Sequence, residues 1–178
     1  MPNKISWQVF FDLQCPFSRV CWKNLPMIRE RFDDKYEITV TCTSLAFHPQ
    51  AFSAQCAANL IEGTAGKEAR VRFHDKAFEK QELYMNAAIG DARKSEIDAV
   101  FANLAEEAGC FRDQLSKEHF LANINNWETA VKPAWAEHKV AMGYGVFGTP
   151  KHVINEKLVE DTESAWGPDE WEVKLASL

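Results

Sequence analysis

The 178-residue sequence lacks several features that would assign it to a particular class of protein. No run approaches the ~18 apolar residues that a membrane-spanning helix needs, so we expect no transmembrane segment. Residues 1–12 hold no long apolar stretch followed by a small-residue cleavage site, so we expect no signal peptide. Acidic residues outnumber basic ones, so the net charge is −6. This charge argues against nucleic acid or an anionic membrane as the main partner.

The cysteines lack a C-x-x-C pair, and their number is odd. This pattern does not fit a disulfide framework, and it favours reduced thiols in a cytoplasmic compartment. No Cys or His pair has the spacing of metal ligands, and no glycine-rich phosphate loop is present, so we expect no bound metal or cofactor. The five cysteines are Cys15, Cys21, Cys42, Cys56 and Cys110.

The sequence does contain a clear order of predicted elements. Residues 5–12 are β-branched and aromatic and predict a buried strand. A helical pattern runs from Pro16 to about Phe32, and residues 36–45 predict a second strand. Strand, helix and strand within ~45 residues form a βαβ unit, so we expect these two strands to lie parallel.

The middle of the chain is predicted to be helical, and strands return only near its end. Helical periodicity runs from about His48 to Met142. Two short strands follow at 151–155 and 157–161, joined by a turn at Asn155–Glu156, and a last helix begins at Pro168. The fold class is therefore α/β: βαβ, a large all-helical insertion, then ββα in the same sheet.

This order divides the chain into two predicted units. Residues 1–47 and 126–178 form the domain that contains the sheet. Residues 48–125 form the inserted helical subdomain.

One short stretch combines a thiol with the start of a helix. Cys15 precedes Pro16, which suits the first position of a helix. A thiol at a helix amino terminus meets the positive end of the helix dipole and unpaired N–H groups, and both favour the thiolate. We expect Ser18 to direct its hydroxyl and its N–H at the sulfur, and Phe17 to be exposed to a partner. We interpret Cys15 and Ser18 as catalytic, and Pro16 and Phe17 as substrate-binding.

The same stretch takes part in a family resemblance. The pattern D-x-x-C-P-x-S at 12–18, with G-V-F-G-T-P at 145–150, resembles the DsbA-like thioredoxin-fold oxidoreductases over nearly the whole chain. The resemblance implies a thioredoxin-like fold with a helical insertion. It also implies that Pro150 is cis and faces the active cysteine, while Thr149 offers its backbone to the bound substrate. His152 follows two residues later and is a candidate for a residue that tunes the thiol, the alternative being an ordinary strand residue.

The sequence departs from that family where a second thiol would stand. Ser18 replaces the second cysteine of C-x-x-C, and serine cannot attack a mixed disulfide. We therefore expect a monothiol cycle in which Cys15 forms the mixed disulfide and glutathione or another thiol resolves it. Cys110 follows a glycine at a helix end, where we expect exposure, and it is the candidate for a remote resolving thiol. The remaining cysteines are expected in the core: Cys21, Cys42 and Cys56.

A second resemblance points to a different activity. The segment A-W-G-P-D at 165–169 is similar to the C-terminal motif of kappa-class glutathione transferases and 2-hydroxychromene-2-carboxylate isomerases. Those proteins open their first helix with S-P-Y-S, whose first serine holds the glutathione thiolate, and an acidic residue at the last helix binds the γ-glutamyl group. The matching positions are Cys15 and Asp169. A glutathione-dependent transferase or isomerase, and a thioredoxin-fold binding module without catalysis, are therefore the alternative functions.

Overall fold

The computed structural model describes residues 4–112 and 114–178. Four strands form one mixed sheet in the order β2-β1-β3-β4, in which β1 is parallel to β2 and antiparallel to β3, and β3 is antiparallel to β4. The predicted parallel pair is confirmed. The strands are β1 (Ile5–Phe11), β2 (Tyr36–Cys42), β3 (Lys151–Ile154) and β4 (Lys157–Val159).

The two last strands form the predicted hairpin. Asn155 and Glu156 connect them with φ of 49° and 64°. Two successive residues with positive φ form the tight turn whose twist matches that of the flanking strands. The second strand is shorter than predicted and ends at Cys42, because the N–H of Leu45 donates to the Asp12 carboxylate at 2.8 Å instead of continuing the sheet.

Helices fill the middle of the chain, as predicted. The helix α1 follows β1, α2 to α6 lie in the insertion, and α7 and α8 precede and follow the hairpin. The helices are α1 (Pro16–Phe32), α2 (Ala51–Ala65), α3 (Lys67–Glu79), α4 (Asn86–Ile89), α5 (Lys94–Glu107), α6 (Lys117–Asn123), α7 (Lys132–Gly143) and α8 (Pro168–Leu175), with a 3-10 turn at Gln81–Tyr84 and a π-helical turn at Trp127–Val131.

The sheet lies between two layers of helix. On one face, Trp7 of β1 packs against Trp171 of α8, with ring centroids 4.6 Å apart. On the other face, Phe10 of β1 packs in a small cluster with Ala141 of α7 and Val153 of β3. The strand alternates apolar and polar residues from Ile5 to Val9, and only its last three residues, 9–11, are apolar and buried on both faces.

One large apolar core joins the sheet to the helical insertion. Leu60, Phe73 and Phe101 of the insertion are fully buried in the same cluster as Trp7. The insertion is thus packed onto the rest of the protein through its apolar faces. The predicted boundaries at residues 48 and 125 remain predictions. In the part of the chain that the structure describes, no helix combines the length and hydrophobicity needed to cross a membrane.

Candidate active site

Cys15 lies where β1 ends and α1 begins. It is the residue immediately before the helix, with φ −79° and ψ 122°, and Pro16 occupies the first helical turn. Proline fits there because its missing N–H has no helical partner to lose. The N–H of Cys15 donates to the carbonyl of Asp12 at 3.0 Å. The strand–loop–helix context that the sequence predicted for this thiol is therefore present.

The sulfur of Cys15 meets the loop that precedes β3. Its thiol donates to the carbonyl oxygen of Thr149 at 3.3 Å, and the Thr149–Pro150 peptide bond is cis. The hydroxyl oxygen of Thr149 is buried and has no hydrogen-bond partner among the described residues. The two sequence motifs, 134 residues apart, thus form one site.

Ser18 does not interact with the sulfur as we expected. Its side chain is fully buried, and Oγ accepts a hydrogen bond from the Asp12 N–H at 3.2 Å. In the described part of the chain no hydrogen bond joins Ser18 to Cys15. The physical reason is that the buried N–H of Asp12 needs an acceptor, and an unpaired buried N–H would cost free energy.

The first turn of α1 is the exposed part of the site. Pro16 and Phe17 are exposed, and Phe17 retains 63% of its accessible surface. A large apolar side chain in this position is available to a partner, as the sequence predicted. By contrast, Cys15 itself is 3% exposed, so access to the sulfur is narrow.

The prediction that Cys110 is exposed was wrong. Gly109 ends α5 with φ of 63°, and the Cys110 N–H donates to the Ala105 carbonyl at 2.9 Å. Such a helix end commonly directs the next apolar residue back onto the helix. Cys110 is consequently fully buried, its thiol donates to the carbonyl of Ala69 at 3.3 Å, and burial raises its pKa. It cannot reach Cys15 without local unfolding.

The other three cysteines lie in the core, as predicted. Burial raises the pKa of Cys21, Cys42 and Cys56 to about 12 in each case. All five cysteines are free thiols. A thiol that stays protonated is a poor nucleophile, so these three do not compete with Cys15 for disulfide exchange.

His152, the candidate for tuning Cys15, lies next to a different cysteine. Its ring is buried, Nδ1 accepts from the Trp7 Nε1–H at 3.0 Å, and Nε2 lies 3.9 Å from the sulfur of Cys21. Burial, helped by the charge of Lys151, lowers the pKa of His152 to about 3. His152 lies two residues, or ~6.6 Å, further along the strand than Pro150. Its ring therefore lies beneath α1, beside Cys21, and not at the strand end where Cys15 meets Thr149.

Asp169 is placed far from Cys15. Glu172, one turn further along α8, contacts Arg31 at 2.6 Å, and the pKa of Arg31 is raised by Glu172 first and by Asp169 in addition. Asn24, in the middle of α1, donates to the carbonyls of residues 165 and 166, and Arg31 lies in the last turn of that helix. Asp169 therefore lies beside the second half of α1, and nine or more residues at ~1.5 Å each separate it from Cys15 by at least about 13 Å. A tripeptide spans only ~10 Å. The structure does not bring these two residues into one glutathione site.

A buried carboxylate–imidazole pair lies beside the site, and the sequence reasoning missed its pairing. Asp12 is fully buried, and its Oδ2 lies 2.8 Å from Nδ1 of His48. Burial raises the pKa of Asp12, while hydrogen bonds from the Leu45 N–H, from His48 and from the Gln14 N–H oppose that rise. In the sequence motif, Asp12 was only one of the positions that agreed with the family pattern, and no role was predicted for it. Nothing local in the sequence joins it to a histidine 36 residues later.

The helical insertion holds the loop that carries Cys15. The amide of Gln81 donates to the carbonyls of Leu13 and Cys15, at 2.8 and 3.0 Å, and the hydroxyl of Tyr84 lies 2.8 Å from the Leu13 carbonyl. Gln14 and Gln50 bond to each other on the other side of the loop. These contacts fix the backbone around the thiol, so the insertion is a structural part of the site.

A cavity of about 450 Å³ opens beside this loop. His48 and His138 lie in its lining, and otherwise the walls are mainly apolar, with exposed rings at Phe47 and Phe147. Small-molecule sites have this size and this mixture of apolar walls with a few polar groups. Within residues 4–112 and 114–178, no cluster of three or more Cys, His, Asp or Glu side chains could hold a metal ion.

Comparison with known proteins establishes the fold. No profile of a known protein family matches the chain, and no curated protein matches its sequence. A candidate protein-disulfide isomerase from Pseudomonas syringae has a TM-score of 0.75 and 18% identity over 96% of this chain and 93% of that one. Oxidised BdbD from Bacillus subtilis has a TM-score of 0.70 and 20% identity, over 97% of this chain and 86% of that one. The oxidoreductase DsbA from Xylella fastidiosa has a TM-score of 0.68 and 18% identity, over 99% of this chain and 86% of that one.

These likenesses confirm the predicted fold class. The chain has the thioredoxin-like fold with a helical insertion that DsbA-like proteins share. At sequence identities of 20% or less, structural similarity shows the fold but does not show the activity. The activity has to be argued from the site itself.

Proposed function

We propose that this protein is a thiol–disulfide oxidoreductase of the DsbA-like type that works through a single thiol, Cys15. The observation that carries the proposal is the contact of the Cys15 sulfur with the Thr149 carbonyl, at the start of α1 and beside Pro150. The structures that share the fold include proteins described as a protein-disulfide isomerase and as oxidoreductases, which supports the same kind of chemistry.

The proposed cycle has two exchange steps. The thiolate of Cys15 attacks one sulfur of a substrate disulfide; a new S–S bond forms, the substrate S–S bond breaks, and the other sulfur leaves as a thiolate. Ser18 cannot carry out the second step, because its hydroxyl is not a nucleophile for disulfides and is engaged by the Asp12 N–H. A second thiol from outside the protein, such as glutathione, therefore releases Cys15.

The backbone at Thr149 supports binding of the substrate. Its carbonyl already accepts a hydrogen bond from the thiol, so this stretch of backbone lies against the sulfur at which a substrate would react. Phe17, two residues after Cys15 in the first turn of α1, offers exposed apolar surface. The free state of all five thiols fits a compartment that keeps cysteines reduced, and we propose a cytoplasmic location.

Incubation with oxidised glutathione tests the proposal. We expect one glutathione on the wild-type protein, located at Cys15 by peptide mass mapping, and none on Cys15→Ser. Ser18→Cys should form an internal disulfide with Cys15, because residues three apart face one another across one helical turn. That variant should gain insulin-reducing turnover that the wild type lacks.

Two results would overturn the proposal. Wild-type protein that takes no glutathione at Cys15 while folded would contradict a monothiol oxidoreductase and would favour a binding module. Reversible binding of reduced glutathione without a covalent bond would instead favour a transferase, although the distance between Asp169 and Cys15 speaks against that activity.

A further inference from the structure

The cavity beside the active-site loop is bounded by segments that also hold Cys15. One wall is the loop 44–49, which follows β2, and another is the end of α7 at Met142. A third is formed by Val146 and Phe147, and Thr149, whose carbonyl meets the Cys15 sulfur, comes two residues later. A molecule in this cavity therefore lies next to the loop on which the sulfur rests.

The lining of this cavity contains few ionisable side chains. Among the described residues that form it there is no Lys, Arg, Asp or Glu, and its only titratable groups are His48 and His138. An ionised ligand would therefore lose water without gaining an oppositely charged partner, which is unfavourable. A ligand with an uncharged apolar body would bury its surface against Phe52, Phe147 and their neighbours.

His48 supplies a base at this cavity. Its Nδ1 lies 2.8 Å from Oδ2 of Asp12, an oxygen that also accepts the N–H of Leu45. This geometry assigns the donor role to Nδ1, so in the neutral ring the lone pair is on Nε2. In the described part of the chain Nε2 has no hydrogen-bond partner. The ring is also held by Phe47, with centroids 4.6 Å apart. An orienting carboxylate behind an imidazole is an arrangement suited to proton transfer.

We infer that this cavity binds the second thiol of the cycle, a small thiol with an uncharged apolar body, and that His48 removes its proton. The inference rests on the proposed function, because it concerns the step that releases Cys15 from its mixed disulfide. It also replaces glutathione as the preferred thiol. Glutathione carries two carboxylates and an ammonium group, for which the cavity has no charged partners.

The step is a disulfide exchange that balances without any other reactant. The thiol in the cavity gives its proton to Nε2 of His48, and the resulting thiolate attacks the substrate-derived sulfur of the mixed disulfide. The new S–S bond joins the thiol from the cavity to the substrate-derived sulfur, and the bond from that sulfur to Sγ of Cys15 breaks. The leaving thiolate of Cys15 recovers the proton from the imidazolium. One disulfide replaces another, so no net oxidation or reduction occurs.

The experiment starts from protein that carries a methylthio group on Cys15, prepared with methyl methanethiosulfonate and verified by peptide mass mapping. Release of the group is followed by mass spectrometry with 2-phenylethanethiol, 2-mercaptoethanesulfonate or glutathione. Each rate is divided by the rate of the same thiol with a methylthio derivative of N-acetylcysteine amide. We expect this ratio to be at least about tenfold higher for 2-phenylethanethiol than for either anionic thiol, which corresponds to ~1.4 kcal/mol of preferential binding.

The variant His48→Asn separates proton transfer from packing. Asparagine keeps an amide N–H close to the position of Nδ1 that can still donate to Asp12, but it has no basic nitrogen. We expect release by 2-phenylethanethiol at pH 7 to slow by about 10²-fold, and the difference to disappear near pH ~10, where thiols ionise without a base. Asp12, which follows β1, contacts His48, and His138 of α7 lines the same cavity; no other described residue of that lining is charged or titratable. His119→Asn, at an exposed site on α6, is the matched control and should react like the wild type.

The possible outcomes distinguish this inference from the proposed function. Failure of the folded protein to take up the methylthio group at Cys15 would overturn both. Normal loading, followed by equal rate ratios for the apolar and anionic thiols, would overturn the cavity as the thiol site alone. Normal loading with unchanged release by His48→Asn at pH 7 would overturn the role of His48. If His48→Asn unfolds, His48→Gln and the thiol comparison on the wild type still decide the inference.

Discussion

The buried ring of His152 makes the stability of this protein depend on pH. The side chain is 1% exposed and accepts a hydrogen bond from the Trp7 indole, which requires a neutral ring with its lone pair on Nδ1. Burial and the nearby charge of Lys151 lower its pKa from 6.5 to about 3. In the unfolded chain the same imidazole returns to an ordinary pKa near ~6.5.

The sign and the size of the effect follow from this difference. Between pH ~6.5 and ~3 the unfolded state binds a proton that the folded state does not, so the free energy of unfolding falls as the pH falls. The depressed pKa of about 3 gives a full difference of 3.5 pH units, or roughly 5 kcal/mol at 1.36 kcal/mol per unit. Between pH 7 and pH 5 the loss due to His152 is about 2 kcal/mol.

Urea unfolding at pH 7 and pH 5 measures this loss. His152→Gln keeps an acceptor for the Trp7 N–H and cannot titrate, so its stability should fall by about 2 kcal/mol less than that of the wild type over this range. His74, whose pKa is also lowered by burial, contributes equally to both proteins and cancels. His119→Gln, at an exposed position, should retain the wild-type slope. Equal slopes for the wild type and His152→Gln would refute the reasoning.

Two further predictions concern the site. Iodoacetamide should label Cys15 before the other four cysteines in the native protein, because burial raises the pKa of each of those four; peptide mass spectrometry would show it, and earlier labelling of another cysteine would contradict it. Tyr84→Phe should lower the free energy of unfolding by ~1–2 kcal/mol and slow glutathione uptake at Cys15, because the hydroxyl lies 2.8 Å from the Leu13 carbonyl in the active-site loop. Unchanged uptake would show that the loop keeps its geometry without this contact.

The sequence by itself determined the local elements and the place of the thiol. A β-branched and aromatic stretch predicted β1, apolar residues at helical spacing predicted α1, and Pro16 located the helix start, because these signals act within a few residues. The turn at Asn155–Glu156 was also predicted, since a tight turn depends on its own two residues. The order of these elements, with the helical stretch between them, was sufficient for the fold class.

Contacts between distant segments were decided only by the tertiary structure. The pairing of Asp12 with His48 and the support of the Cys15 loop by Tyr84 join residues that are 36 to 71 positions apart. The burial of Cys110 depends on how α5 ends against α3, and its exposure was therefore predicted wrongly. Periodicity shows that a side chain faces the core, but it does not show which other side chain it meets there. That depends on the packing of whole helices and strands, in which most buried polar groups find a partner.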